Sequence, residues 1–136
     1  MKKVLLRAVV APAVALPGAL ALAADYLTAA AVRTLLSDNT VYGHHPSRNE
    51  SAMVYFKPDG TRYRRDQDGK HTVGSWNITG SGEICVRSPS ESENCRFVKD
   101  VGKGSYAKYK KANNVMRPDI QTWIWDKVVP GNPENL

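Results

Sequence analysis

The sequence predicts a mainly β fold: a small antiparallel meander or barrel-like sheet with one short N-terminal helix, after a cleaved signal peptide. Three observations predict it. Eight short β-prone segments follow one another at nearly regular spacing, with turn-forming Gly, Asp and Pro between them. A single segment with helical periodicity precedes them. The chain begins with a charged and then apolar stretch that is typical of export.

Residues 1–23 have the pattern of a secretory signal peptide. Lys2, Lys3 and Arg7 form a positively charged start, and the uncharged run from Ala8 to Leu22 ends in small residues with Ala-x-Ala spacing. This run is shorter than the roughly 20 residues that a membrane-spanning helix needs. We therefore expect a periplasmic or secreted protein with no transmembrane segment in the mature chain.

Cleavage would leave one small β domain, placed at residues 24–129, and a flexible C-terminal tail at residues 130–136. Three basic residues leave with the signal peptide, which halves the formal net charge of +6. A mildly basic domain gives little support for a nucleic-acid partner, so none is expected.

The first predicted element is a helix from Leu27 to Ser37, with Thr28 as its N-cap. One face of this helix is apolar and carries Leu27, Ala31, Val32, Leu35 and Leu36. The turn-forming run Ser37-Asp38-Asn39 ends it. We expect the helix to cover one end of the sheet.

Seven or eight strands are predicted after the helix, from eight candidate segments. They are Thr40–Tyr42, Ala52–Lys57, Thr61–Arg65, His71–Thr79, Glu83–Arg87, Asn94–Lys99, Ser105–Lys110 and Ile120–Val129. Pro58-Asp59-Gly60 is the clearest hairpin signal, because Pro fixes φ and Gly accepts a positive φ. Asp68-Gly69 and Gly80-Ser81-Gly82 mark further turns. A barrel of this size has room for its own side chains or for one small ligand.

Cys85 and Cys95 are the two cysteines of the chain, and in an oxidising compartment they most simply form a disulfide. If they face each other, Phe97 shares their face of the sheet, whereas Ile84 and Val86 lie on the opposite face. A bulge or a sheet that is buried on both faces would satisfy this pattern, and the sequence leaves both possibilities open.

Two basic clusters with aromatic neighbours and one tryptophan pair form a candidate surface for a ligand or partner. Its residues are Arg62, Tyr63, Arg64, Tyr106, Lys108, Trp123 and Trp125. Basic side chains interleaved with aromatic ones can hold anionic polymers or lipid headgroups. Lys and Arg also mark edge strands, where charge deters edge-to-edge pairing, and we favour this second interpretation.

Trp123 and Trp125 are two residues apart, so in a strand they share one face. A face that points outward or into the mouth of a barrel would be a platform for a ligand or partner, whereas an inward face would be core, which is the commoner case. A helix also remains open, because Ile120, Ile124 and Val128 recur at helical spacing.

Patterns for catalysis and metal binding are weak, and we predict no catalytic residue, no metal and no cofactor. His44 and His45 are adjacent, so in a strand they point to opposite faces, and a site with His71 would lack a third ligand. No Gly-x-Ser-x-Gly motif is present. Four acids could be considered as catalytic carboxylates, but they lie mostly at predicted turns. They are Asp59, Asp66, Asp68 and Glu83.

Three stretches of the sequence resemble a known family. They are Leu35-Leu36 before Asn39-Thr40-Val41-Tyr42-Gly43, then Tyr55-Phe56-Lys57-Pro58-Asp59-Gly60-Thr61, and Gly74-Ser75-Trp76 followed by Gly82-Glu83-Ile84-Cys85-Val86 and Cys95. On these residues, from Leu27 to Val98, the chain resembles a family of short exported proteobacterial proteins, domain of unknown function 995. The resemblance implies a periplasmic or secreted bacterial protein with a small β-rich fold. It implies no activity, so no catalytic residue is transferred.

The function that the sequence favours is a non-catalytic binding module. Its partner would be an anionic envelope component, a small apolar ligand or another protein. One alternative is a periplasmic inhibitor of a foreign enzyme, and a second is a small secreted hydrolase. An open polar cavity that contains His71 and an acid would favour the hydrolase. A filled interior with a protruding loop at Ser88 to Glu93 would favour the inhibitor or the binding module.

Overall fold

The computed structural model describes residues 26–113, 116 and 118–136, and the predicted signal peptide, residues 1–23, lies outside them. The helices and strands are α1 (Ala29–Leu36), β1 (Asn39–His44), β2 (Ser51–Phe56), β3 (Thr61–Asp66), β4 (His71–Ile78), β5 (Ile84–Arg87), β6 (Asn94–Gly102), β7 (Ser105–Lys110) and β8 (Ile120–Pro130). Each strand pairs with the next, and β8 pairs with β1 to close an eight-stranded antiparallel barrel. The predicted mainly β fold with one short N-terminal helix is confirmed.

Closure of the barrel overturns two sequence interpretations. Every strand is hydrogen-bonded on both sides, so no strand of the described barrel has a free edge for basic residues to protect. The interpretation of the basic clusters as edge protection is therefore wrong. The segment Ile120–Pro130 is a strand paired with both β7 and β1, so the helical alternative for the tryptophan segment is also wrong.

Helix α1 covers the barrel end that holds the β2–β3 and β4–β5 turns. The hydroxyl oxygen of Thr28 accepts a hydrogen bond from the Ala31 amide at 3.2 Å, so the predicted N-cap is present. Val32 and Leu36 are fully buried and pack into the barrel core. The strand residues of that core are Val41, Val54, Phe56, Trp76, Ile84, Val86, Val98 and Trp125.

The disulfide lies in the wall of the barrel, between β5 and β6. Cys85 and Cys95 are bonded and lie directly opposite each other, and no register shift interrupts this pair of strands. Ile84 is buried in the core, while Phe97 lies on the outer face, where the ring of Tyr26 stacks on it at 5.0 Å. The sheet is therefore covered on both faces here, and no bulge is needed.

The chain after β8 runs along the outside of the barrel. The Gly131 amide donates a hydrogen bond to the Asp38 carbonyl oxygen at 2.7 Å. Further along, the carboxylate of Glu134 lies 3.2 Å from the guanidinium of Arg65. Residues 130–136, which we expected to be a flexible tail, therefore have a defined course against the barrel wall.

Candidate functional site

The barrel interior changes from apolar to cationic along its length. Successive residues of a strand point alternately inward and outward, and residues paired across two strands share a face. Arg62 pairs with the core residue Phe56 across β2 and β3, and Lys108 pairs with the core residue Val98 across β6 and β7. Arg64 lies two residues after Arg62 and so also points inward. These three cations occupy the half of the barrel away from α1.

These cations line a cavity of about 180 Å³, which equals the liquid volume of about six water molecules. The rest of its wall is largely polar and includes a fourth cation, together with two acids and several hydroxyl and amide side chains: Lys70, Asp66, Glu91, Thr72, Ser88, Ser90 and Asn94. Hydroxyl and amide side chains can donate hydrogen bonds, as guanidinium and ammonium groups do. The cavity therefore presents many donors in a space for one small molecule.

Arg62 has the least exposed surface of the three cations, at 6%. Its Nη2 donates a hydrogen bond to the Ser88 hydroxyl at 3.0 Å. Its Nε is buried and has no hydrogen-bond partner among the described residues. Burial, and then the nearby charge of Arg64, lower the pKa of Arg62 below its ordinary value. A buried donor on a charged group costs free energy when no acceptor faces it, so an acceptor bound next to this Nε would stabilise the folded protein.

Arg64 is held by one acid and one aromatic ring. Its Nε lies 2.6 Å from a carboxylate oxygen of Asp66, in an ion pair that is only partly exposed. Its guanidinium carbon lies 5.4 Å from the centre of the Trp123 ring, within the range of a cation–π contact. Asp66 thus offsets the charge of Arg64 and lies in the cavity wall, whereas the sequence interpretation assigned this acid to a turn.

Lys108 reaches the same cavity from β7. Its Nζ lies 5.8 Å from the centre of the Trp125 ring. Burial, and then the charges of Arg62, Arg96 and Arg64, lower the pKa of Lys108 to about 7. Since the nearby cations disfavour the ammonium form, a bound anion would favour it again.

Two glycines make room for this arrangement. A Cβ on Gly74 would lie 2.1 Å from the Arg87 carbonyl oxygen, so the absent side chain lets β5 and the following loop approach the inner wall. This approach brings Ser88 next to Arg62. A Cβ on Gly43 would lie 2.6 Å from the Trp123 indole nitrogen, so this glycine makes room for an inward-pointing indole ring.

The structure separates the residues of the predicted ligand surface. Arg62, Arg64 and Lys108 meet in the cavity. Trp125 is 2% exposed and belongs to the core, and Trp123 packs against the core, so the tryptophans form no outward platform. The two tyrosines of this set lie outside the cavity. Tyr106 pairs with Trp125 and lies nearer to α1. Tyr63 stacks on Tyr55 on the outer wall.

Sequence reasoning missed the polar part of the cavity wall. Thr72 pairs with Arg64 across β3 and β4, so strand alternation is the signal that could have found it. Ser88 and Glu91 lie in the loop between the cysteines, and a loop sequence carries no periodicity that reveals its direction. Their position depends on the close approach at Gly74.

The hydrolase alternative requires an open polar cavity that contains His71 and an acid. His44 lies 2.8 Å from the Asp126 carboxylate, and His71 does not line the cationic cavity. Among the described residues, the His, Cys, Asp and Glu side chains that gather closely enough for a metal are Cys85, Glu93 and Cys95. The disulfide already uses both of those sulfur atoms.

Comparisons with protein-family models, curated proteins and solved structures gave no match to this chain. The resemblance to domain of unknown function 995 therefore stays a prediction. Within the part of the chain that the structure describes, no helix has the length and apolar character needed to cross a bilayer.

Proposed function

We propose that this protein is an exported, non-catalytic binding protein that takes one small anion into the cationic cavity of its barrel. The observation that carries the proposal is Arg62, a buried guanidinium with an unpartnered Nε, beside Arg64 and Lys108 in one polar cavity. Guanidinium and ammonium groups form their strongest hydrogen bonds with anionic acceptors.

The charges of the cavity support an anionic ligand. Asp66 offsets the charge of Arg64. The charge of Glu91 raises the pKa of Arg62, but burial and the charge of Arg64 lower this pKa by more. Lys108 still faces other cations, which lower its pKa. Like charges that are partly removed from water repel one another unless a counter-charge lies between them. A bound anion would supply that charge and an acceptor for Arg62.

Among the partners that the sequence left open, the size and polarity of the cavity support a small ligand. A volume of about 180 Å³ suits a small molecule and is too small to enclose a folded protein or a polymer chain. The donor-rich wall disfavours a small apolar ligand, because burying its donors without acceptors costs free energy. The anion is therefore either a free ion or a small charged group at the end of a larger molecule.

The expected location outside the cytoplasm rests on the signal-peptide pattern of residues 1–23 and on the bonded pair Cys85 and Cys95. Disulfides persist in oxidising compartments and are rare in the cytosol. An exported binding protein of this kind would meet its anion in the periplasm or outside the cell.

A titration of the purified protein with small anions tests the proposal. Phosphate, sulfate, succinate and citrate are added at constant ionic strength, with glycerol as the neutral control, while tryptophan fluorescence and the thermal midpoint are followed. We expect at least one anion to change the fluorescence, because Arg64 and Lys108 lie over the rings of Trp123 and Trp125. The same anion should raise the midpoint, since a ligand that binds the folded state stabilises it.

The matched variants are Arg62→Met and Arg65→Met, which lie on the inner and outer faces of the same strand. Arg62→Met should lose the response and Arg65→Met should keep it. The proposal would be contradicted if no anion gave a response, or if both variants lost the response equally.

A further inference from the structure

The cations of the cavity approach from opposite walls of the barrel. Arg62 and Arg64 belong to β3, and Lys108 belongs to β7, which is four strands away in a ring of eight. Further donors come from other directions, with Thr72 on β4 and Asn94 at the start of β6. Donors from β3, β4, β6 and β7 therefore face a ligand in this cavity from opposite walls.

This arrangement favours a tetrahedral oxyanion over a single carboxylate. A carboxylate offers two oxygens in one plane, and one guanidinium can bind both of them. Only the outer lone pairs of these two oxygens would then remain for the second wall, with Lys108. Four oxygens at tetrahedral angles can face Arg62, Lys108 and the hydroxyl donors at the same time, including the unpartnered Nε of Arg62.

Two carboxylates in the same wall restrict the choice further. Asp66 and Glu91 both line the cavity, and a carboxylate only accepts hydrogen bonds. A sulfate ion carries no proton near neutral pH, so it would meet these acids only through repulsion. A phosphate group has a second pKa of about 6 and keeps a proton on part of its population near neutral pH. That P–OH can donate a hydrogen bond to a carboxylate.

We infer that the ligand of this site is a phosphate group, free or as a monoester, which the cations hold from both walls while Glu91 accepts a hydrogen bond from its P–OH. The inference rests on the proposed anion-binding function. Asp66 is the less suitable acceptor, because Arg64 lies 2.6 Å from one of its oxygens. Glu91 belongs to the β5–β6 loop, whose first residue, Ser88, is hydrogen-bonded to Arg62.

Isothermal titration calorimetry at pH 6.5 and constant ionic strength tests the inference. The ligands are inorganic phosphate, glycerol 3-phosphate, sulfate, succinate and dimethyl phosphate, which is a diester without a P–OH. We expect phosphate or its monoester to bind at least tenfold more tightly than sulfate, succinate and dimethyl phosphate. Tighter binding of inorganic phosphate indicates the free ion, and tighter binding of glycerol 3-phosphate indicates an ester of a larger molecule.

The diagnostic variant is Glu91→Gln, and its control is Glu93→Gln on the same loop, outside the cavity wall. Glu91→Gln should lower the ratio of phosphate to sulfate affinity about fivefold or more, mainly because sulfate binds better once the like charge is removed. Glu93→Gln should leave the ratio unchanged.

Two failures can be told apart. Equal or tighter binding of sulfate or succinate, or an unchanged ratio in Glu91→Gln, would overturn the phosphate assignment while the anion site stands. Absence of binding by all five ligands would remove the proposed function and the assignment together.

Discussion

Lys108 shows how the barrel interior controls a single charge. In the unfolded chain a lysine amine has a pKa of about 10.4, whereas burial and the cations Arg62, Arg96 and Arg64 lower it to about 7 in the folded protein. Between these values the folded state binds fewer protons than the unfolded state. The contribution of Lys108 to stability therefore increases as the pH rises from about 7 towards 10.

Replacement of Lys108 by Met should separate stability from binding. At pH 6, in a buffer of weakly binding anions, we expect Lys108→Met to have a higher free energy of unfolding than the wild type, because a repelled charge is gone. The additional rise between about pH 7 and 10 should disappear. Phosphate affinity should fall about 10- to 100-fold, as loss of a charged hydrogen bond of about 1.5–3 kcal/mol implies.

Urea unfolding at pH 6, 7.5 and 9 measures the stability of this variant, and calorimetry measures its affinity. Lys110→Met, at the exposed end of the same strand, is the control and should change neither quantity appreciably. A variant that is less stable than the wild type at pH 6 and binds phosphate normally would contradict the role of Lys108.

The missing side chain of Gly74 sets the position of the cavity loop. Gly74→Ala would place a Cβ 2.1 Å from the Arg87 carbonyl oxygen, so the backbone must move. We expect a loss of about 1–3 kcal/mol in the free energy of unfolding and weaker anion binding, because Ser88 shifts away from Arg62. Gly80→Ala is the control, since no atom lies within 4 Å of its Cβ position. Equal stability of the two variants in urea titrations would contradict this account.

Among the larger parts of the fold, the β5–β6 loop joins the disulfide to the site. The two cysteines are 10 residues apart and close the base of the loop that carries Ser88 and Glu91. For a closed loop of that length, the chain-entropy model gives a stabilisation of about 3 kcal/mol. The same closure limits the positions that the loop can adopt over the cavity.

Cys85→Ala with Cys95→Ala should therefore lower the free energy of unfolding by about 3 kcal/mol. Anion affinity should also fall, because more conformations of the loop must be lost on binding. Denaturant titrations and calorimetry on the oxidised wild type and the double variant measure both effects. An unchanged affinity would show that the loop is held by other contacts alone.

Helix α1 stabilises the opposite end of the barrel. Leu36 is fully buried in the core, so Leu36→Ala should cost about 2–5 kcal/mol. Thr34→Ala, on the exposed face of the helix, should cost far less. Neither variant should change anion affinity in a folded sample, because the cavity lies at the other end. A marked loss of affinity in folded Leu36→Ala would show that the two ends are coupled.

The regular spacing of strands and turns was enough to predict the fold class. Local signals such as the Thr28 cap and the Pro58-Asp59-Gly60 turn need only neighbouring residues, and both are present in the structure. Pairing of β8 with β1 joins the two ends of the sheet, and no local pattern specifies it. The sequence therefore predicted a barrel-like sheet only as one of two possible forms, the other being a meander.

The candidate site was predicted only in part, for a physical reason. Strand alternation places Arg62 and Arg64 on one face and Tyr63 on the other, but it does not state which face is inside. Charged residues are rarely buried, so the sequence favoured an outer position for them. Arg62 and Arg64 come together with Lys108 only because the barrel closes, which places β7 across the barrel from β3.

In the whole molecule, the apolar half of the barrel with α1 supplies the core, and the cationic half supplies the site. This division explains how a small domain can contain inward-pointing cations without giving up its core. Charges are costly in a protein interior unless they are paired. The molecule should therefore be more stable when the cavity holds its anion.

Diffraction from crystals grown with arsenate, an anomalous scatterer with the shape and protonation of phosphate, tests the central claim most directly. The account predicts an anomalous peak inside the cationic cavity of the barrel, with arsenate oxygens about 3 Å from the guanidinium of Arg62 and the amine of Lys108. Under arsenate concentrations that saturate binding in solution, a peak found only on the outer surface would contradict it, as would a cavity that contains only water.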